Sequence, residues 1–160
     1  MSTIDHYIND IIVRGAAEAR EEGSAATEAH HLLLAIAVIE DTAAHRVLTA
    51  AGLGRQAIRA ALDREFEHSL AAVGVSLSSY DLPKPFHDPK DQPKLGASAR
   101  LAIERGFAAS KGKKDLRPAH LLLGVLSADV GTVPRALALA GIDRSGLMDC
   151  AEETLARESW

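Results

Sequence analysis

Apolar side chains recur along this chain at helical spacing. Ile4, Ile8, Ile11, Ile12, Gly15 and Ala19 share one face of a predicted first helix, and Gly23 sits where a C-terminal cap belongs. Thr27 is placed to cap a second helix, which runs through His31-Leu32-Leu33-Leu34 to about Ile39. Its apolar run goes nearly all round, which predicts a buried central helix. Asp41 or Thr42 can cap a third helix that ends at Gly52. A fourth starts at about Arg55, with Ile58, Leu62, Phe66 and Leu70 at i+4 spacing. The same plan returns further on. A helix over about 96–111 ends at Gly112, and Pro118 suits the first turn of the next. Thr132 is placed to cap the following helix, which carries Pro134 in its first turn and closes at Gly141. Leu147, Ala151 and Leu155 line the last helix. No stretch of any length alternates as a strand would.

The likeness of the two halves extends to identities. Segment 31–55 aligns without a gap on segment 120–144, at an offset of 89 residues. Nine positions in it are identical, among them His31/His120, the three leucines that follow each, Arg46/Arg135, Gly52/Gly141 and Arg55/Arg144. Matched His, Arg and Gly at one offset argue against coincidence in a Leu/Ala-rich chain. The expected fold is all-α, a single domain over 1–160 made of two tandem four-helix repeats. The repeats span 3–70 and 95–158, joined by a linker over 71–94. Pro83, Pro85, Pro89 and Pro93 forbid a continuous helix through that linker. It is read either as a solvated connection or as a strap whose apolar anchors are Tyr80 and Phe86.

Composition narrows the function. Of 160 residues, 47% are hydrophobic and 25% charged, enough for a core and a solvated surface. The net charge is -4 with no basic stripe, which argues against nucleic acid as a partner. The polar start is no signal peptide, and the longest apolar run, Leu32 to Ile39, is too short for a bilayer. A cytoplasmic protein with no membrane partner is expected. Cys150 is the sole cysteine, so no internal disulfide can form. It is expected on the apolar side of the last helix, near Leu147 and Ala151, as a small hydrophobe.

Catalytic chemistry is thin. The nearest approach to a phosphate-binding loop, Gly106 to Lys114, has Lys111 where the second glycine must stand. His30 and His31 are adjacent, so they are expected on different helix faces rather than as an i, i+4 metal pair. Glu28 could join one of them, but no third ligand stands at a typical spacing. No metal and no cofactor is expected. His31 and His120 instead suit a structural role at the starts of the central helices, bonded to a loop carbonyl or a free N–H of the first turn. Gly52 and Gly141 belong to the same repeat motif.

Two four-helix units, each marked by His-Leu-Leu-Leu and closed by Leu-x-x-Ala-Gly-Leu/Ile, resemble the Clp N-terminal repeat domain. That domain precedes the ATPase modules of ClpA, ClpB and ClpC chaperones. The resemblance covers about 3–69 and 95–158. It implies repeats packed with pseudo-twofold symmetry and a non-enzymatic module that binds proteins or peptides. The implied partners are a Clp chaperone, its adaptors or its substrates. With no ATPase module in the sequence, the chain looks like a stand-alone ClpC-like member of the actinobacterial type. The family motif Gly-Thr-Glu-His carries a Glu that helps ClpC-type domains bind phosphoarginine. The matching positions here are His30 and Ala119, and the Thr is replaced by Ala29 and Pro118. The loss of that Glu in both copies counts against phosphoarginine recognition without deciding it. The resemblance does imply a surface at the starts of each repeat's first helix, where actinobacterial relatives bind cyclic peptide antibiotics. By position this involves Ile4 and Asp5 in repeat one, and Leu95, Arg100, Ile103 and Glu104 in repeat two, although Ile4 and Ile103 read equally well as ordinary core positions. Two other readings stand beside it: a small His-containing metal-dependent enzyme, and a homodimeric scaffold.

Overall fold

In the computed structural model, residues 2–75 and 92–158 are described. Tyr80 and Phe86, the expected linker anchors, lie outside them. The order is α1 (Thr3–Glu22), β1 (Ala26–Thr27), α2 (Ala29–Val38), α3 (Ala43–Ala50), α4 (Arg55–Ala72), β2 (Lys94–Leu95), α5 (Ala97–Ala109), α6 (Pro118–Leu126), α7 (Thr132–Leu139) and α8 (Arg144–Arg157). The fold is all-α, with one two-residue parallel strand pair among the described residues. In that pair Ala26 faces Lys94 and Thr27 faces Leu95. It ties the residues before α5 to the turn after α1, a pairing too short to leave a pattern in the sequence.

Each helix follows from local chemistry. Ser2 and Asp5 cap α1 reciprocally: the Asp5 N–H donates to Ser2 Oγ at 3.3 Å, and the Ser2 N–H to Asp5 Oδ2 at 3.1 Å. Thr42, not Asp41, caps α3, its Oγ1 accepting from the His45 N–H at 3.0 Å. The Leu-x-x-Ala-Gly-Leu/Ile motif is a helix stop. The Leu53 N–H reaches back to Leu48 O (2.8 Å) and the Gly52 N–H to Thr49 O (3.0 Å). In repeat two the Ile142 and Gly141 N–H groups do the same to Leu137 O (2.9 Å) and Ala138 O (3.1 Å). Both glycines have φ +73°, a left-handed conformation, and a Cβ on either would touch nothing within 4 Å. Gly52→Ala and Gly141→Ala therefore carry only the conformational penalty. Each is expected to lower stability by about 1–2 kcal/mol, and by similar amounts, in urea titrations.

The repeats interlock by exchange. The fourth helix of repeat one, α4, packs on the third helix of repeat two, α7, and reciprocally α8 packs on α3. The central helices α2 and α6 meet each other. This is pseudo-twofold packing. The duplicated arginines mark it: Arg135 on α7 pairs with Glu65 on α4 at 3.0 Å, and Arg46 on α3 pairs with Glu158 after α8. At the centre Leu32, Leu34, Ala35, Ile36, Leu122 and Leu126 are fully buried. α2 and α6 are apolar nearly all round because neighbours cover every side.

Several expectations from the sequence are corrected. Thr27 does not cap α2. It is buried in β1, and Glu28 takes the cap position, because His31 Nδ1 and Ser98 Oγ accept the first N–H groups instead. α5 ends at Ala109, before Gly112, where the Ser110 hydroxyl takes the Phe107 carbonyl at 2.8 Å and turns the chain outward. Thr132 is the first residue of α7, and the cap is Gly131, at φ +113°. Cys150 is exposed, on the solvent side of α8. Phe66 is 54% exposed, and Glu65 beside it is the buried residue, since the end of α4 faces α7 and not the core.

Candidate functional site

The two repeat histidines hold equivalent posts. His31 Nδ1 accepts the Glu28 N–H at 2.9 Å, and His120 Nδ1 accepts the Arg117 N–H at 3.0 Å. An accepting Nδ1 leaves the proton of a neutral ring on Nε2. Each Nε2 then faces a carboxylate: Glu22 for His31, and Asp115, at 3.8 Å, for His120. Burial lowers the pKa of His120 below its ordinary 6.5, outweighing the opposing pull of Asp115. Below pH 6.5 the unfolded chain takes up a proton that the folded chain resists. Stability is therefore unaffected by this group above that pH and falls as pH drops through it. The slope approaches about 1.4 kcal/mol per pH unit. In His120→Asn the amide oxygen can accept the same N–H without titrating. That variant is expected to flatten the acid limb of the unfolding midpoint against pH.

Around His31 the structure gathers more than sequence spacing suggests. The His30 and His31 rings lie 3.9 Å apart, and both Nε2 atoms approach Glu22 Oε2, His30 at 3.2 Å. They converge because they open α2 directly beneath the last turn of α1. The expectation that the two rings diverge is thus wrong, and the carboxylate they share is Glu22 rather than Glu28. Burial pushes the Glu22 carboxyl up, but the two imidazole donors outweigh it and hold it well below the usual carboxylate range.

These three side chains form the one group of metal-ligand type among the described residues. The hydrogen bonds argue against metal. A metal on His31 Nε2 would put the ring proton on Nδ1, facing the Glu28 N–H 2.9 Å away. That leaves Glu22 and His30, one donor short of a three-ligand site.

Two cavities flank His30, both at the junction of the repeats. One, about 330 Å³, lies between the start of α2, α5 and the start of α7. Its rim carries Leu101, 43% exposed, and Val130, 83% exposed. The other, about 420 Å³, lies between the end of α1 and α4, beside Phe66. His30 and Thr132 line both, so the two cavities are neighbours with that pair as their common wall.

The six residues assigned from the starts of α1 and α5 line neither cavity. Ile4 is buried in the core, and Leu95 and Ile103 pack against it. Asp5 serves the α1 cap and pairs with Lys113 at 3.2 Å, which joins the start of α1 to the loop before α6. Ser2 and Lys113 together hold its pKa at about 2. Arg100 and Glu104 are exposed. On α5 it is Ser98, Leu101, Ala102 and Arg105 that face the cavity, one helical stripe round from Arg100 and Glu104. Residue pattern does not distinguish the two stripes, since both mix apolar and charged residues.

No family model matches the chain, and no curated protein matches it. Among solved structures, it is similar to the N-terminal domain of ClpD, the caseinolytic protease associated chaperone of Arabidopsis thaliana. The TM-score is 0.62 at 20% identity, covering 91% of this chain and 92% of that one. The fold is Clp N-domain-like.

Proposed function

We propose that this chain is a non-catalytic binding module that captures protein segments in the seam between its two repeats. The working unit is the whole domain, repeats 3–70 and 95–158 with the 71–94 linker. The observation that carries the reading is the pair of neighbouring cavities with His30 and Thr132 as their common wall, rimmed by exposed Leu101, Val130 and Phe66. Apolar side chains left open at a concave surface are what a partner segment can bury. The Clp N-domain-like fold supports the same reading, with a Clp chaperone, its adaptors or its substrates as partners and the cytoplasm as the place. Cyclic peptide antibiotics are a further ligand class for it. Among the described residues no helix is long and apolar enough to cross a membrane.

The test is titration of the chain with a permanently unfolded, reduced and carboxymethylated protein, read by calorimetry beside the same protein in native form. Saturable binding of the unfolded form alone is expected. Equal or absent binding of both contradicts the reading.

A further inference from the structure

We infer that the seam selects an extended segment in which a bulky apolar residue is followed, two positions on, by a lysine or arginine. The inference rests on the binding reading above and adds the chemistry of the occupant. The two cavities differ in character. The one under Leu101 and Val130 has an apolar floor of Ala102, Val125 and Val133, and its two carboxylates already have partners: Arg144 holds Asp129 at 3.1 Å, and the Ser98 N–H donates to Glu28 at 3.3 Å. It can take an aliphatic or aromatic side chain but offers no net charge.

The second cavity is different. Glu22, Asp63 and Glu65 face it against a single guanidinium, Arg59. Glu22 and Glu65 are spoken for by His30, His31, Ser69 and Arg135. Asp63 is the open one: its side chain is 70% exposed, and its contact with Arg59 is a loose 3.6 Å. Next to it stands Phe66, more than half exposed. A carboxylate beside an open aromatic face is a fitting environment for a cationic head on an apolar stem. An acidic side chain there would meet like charge. Because His30 and Thr132 are common walls, one extended chain crossing them would reach both cavities.

The experiment uses the full chain and fluorescence anisotropy with three labelled twelve-residue peptides. They are identical except that the residue after a central leucine pair is Lys, Gln or Glu. The Lys peptide is expected to bind about ten-fold more tightly than the Glu peptide, with Gln between. The advantage should shrink when salt rises from about 0.05 to 0.5 M. Asp63→Asn should remove most of the Lys preference. Phe66→Ala and Leu101→Asp should each weaken the Lys peptide about ten-fold, all three variants keeping the parent Tm. Equal binding of the three peptides overturns the charge preference and leaves the binding reading standing. So does failure of every peptide while the unfolded protein still binds. Failure of both ligands overturns the two together.

Discussion

Leu122→Ala is expected to lower the unfolding free energy by about 2–5 kcal/mol, the usual cost of truncating a buried leucine. Leu122 is fully enclosed on α6, and its counterpart Leu33 on α2 is 2% exposed. Both helices are covered by neighbours, α6 by α5, α8 and α2, and α2 by α1, α4 and α6. So many walls cannot all collapse into the space a leucine vacates, which places these sites in the upper part of the range. For a domain of this length the loss should lower Tm by about 6–15 °C. Differential scanning calorimetry of both variants reads it. A shift below about 1 °C in either would mean that its central helix is not the core of its repeat.

Gly124→Ala is the second large effect, and it acts in the opposite sense, by crowding. A Cβ on Gly124 would lie 2.0 Å from the Ala102 carbonyl oxygen and 2.7 Å from the Gly106 nitrogen. These are backbone atoms of α5, so no rotamer change relieves the contact. α5 would have to retreat along its whole packing against α6. Crowding of this kind costs about 1–3 kcal/mol and sometimes more, and backbone contacts put this site at the top. The equivalent position in repeat one is Ala35, fully buried and tolerated. There α1 approaches α2 at Gly15, whose added Cβ would meet Thr27 at 3.1 Å and Leu32 at 3.2 Å. Urea titration of Gly124→Ala should show a midpoint well below the parent. An unchanged midpoint would mean that α5 and α6 are not in close contact.

The peptide experiments read the seam directly, but they depend on α5 and α7 staying where these packing residues put them. Gly124→Ala, by shifting α5, should therefore also weaken segment binding, whereas Gly52→Ala, at a distant turn, should not.

Much of the fold was legible in the sequence for identifiable reasons. The repeat declared itself through residues that have few substitutes. His31 and His120 accept the same backbone N–H in each copy, and Gly52 and Gly141 adopt a conformation that a side chain strains. The leucine runs of α2 and α6 gave the central helices because only a covered helix can be apolar all round. What sequence patterns missed depends on partners far along the chain. Ser98, from the other repeat, supplies the α2 cap that Thr27 was expected to supply. Phe66 fits the core stripe of α4 by spacing, yet the exchange that sends the end of that helix to α7 leaves it in solvent. Glu22 meets His30 and His31 only because α1 ends against the start of α2. Which stripe of α5 faces the cavity depends on how that helix sits against its neighbours, and periodicity cannot decide that.

The most direct test of the seam as the binding surface is nuclear magnetic resonance. The 15N-labelled full chain would be titrated with the Lys peptide and its amide shifts followed. Perturbations are expected to cluster on His30, Leu101, Arg105, Thr132 and Phe66. Perturbations confined to Ile4, Asp5, Arg100 and Glu104, with His30 and Thr132 unmoved, would place the binding surface at the helix starts and not in the seam.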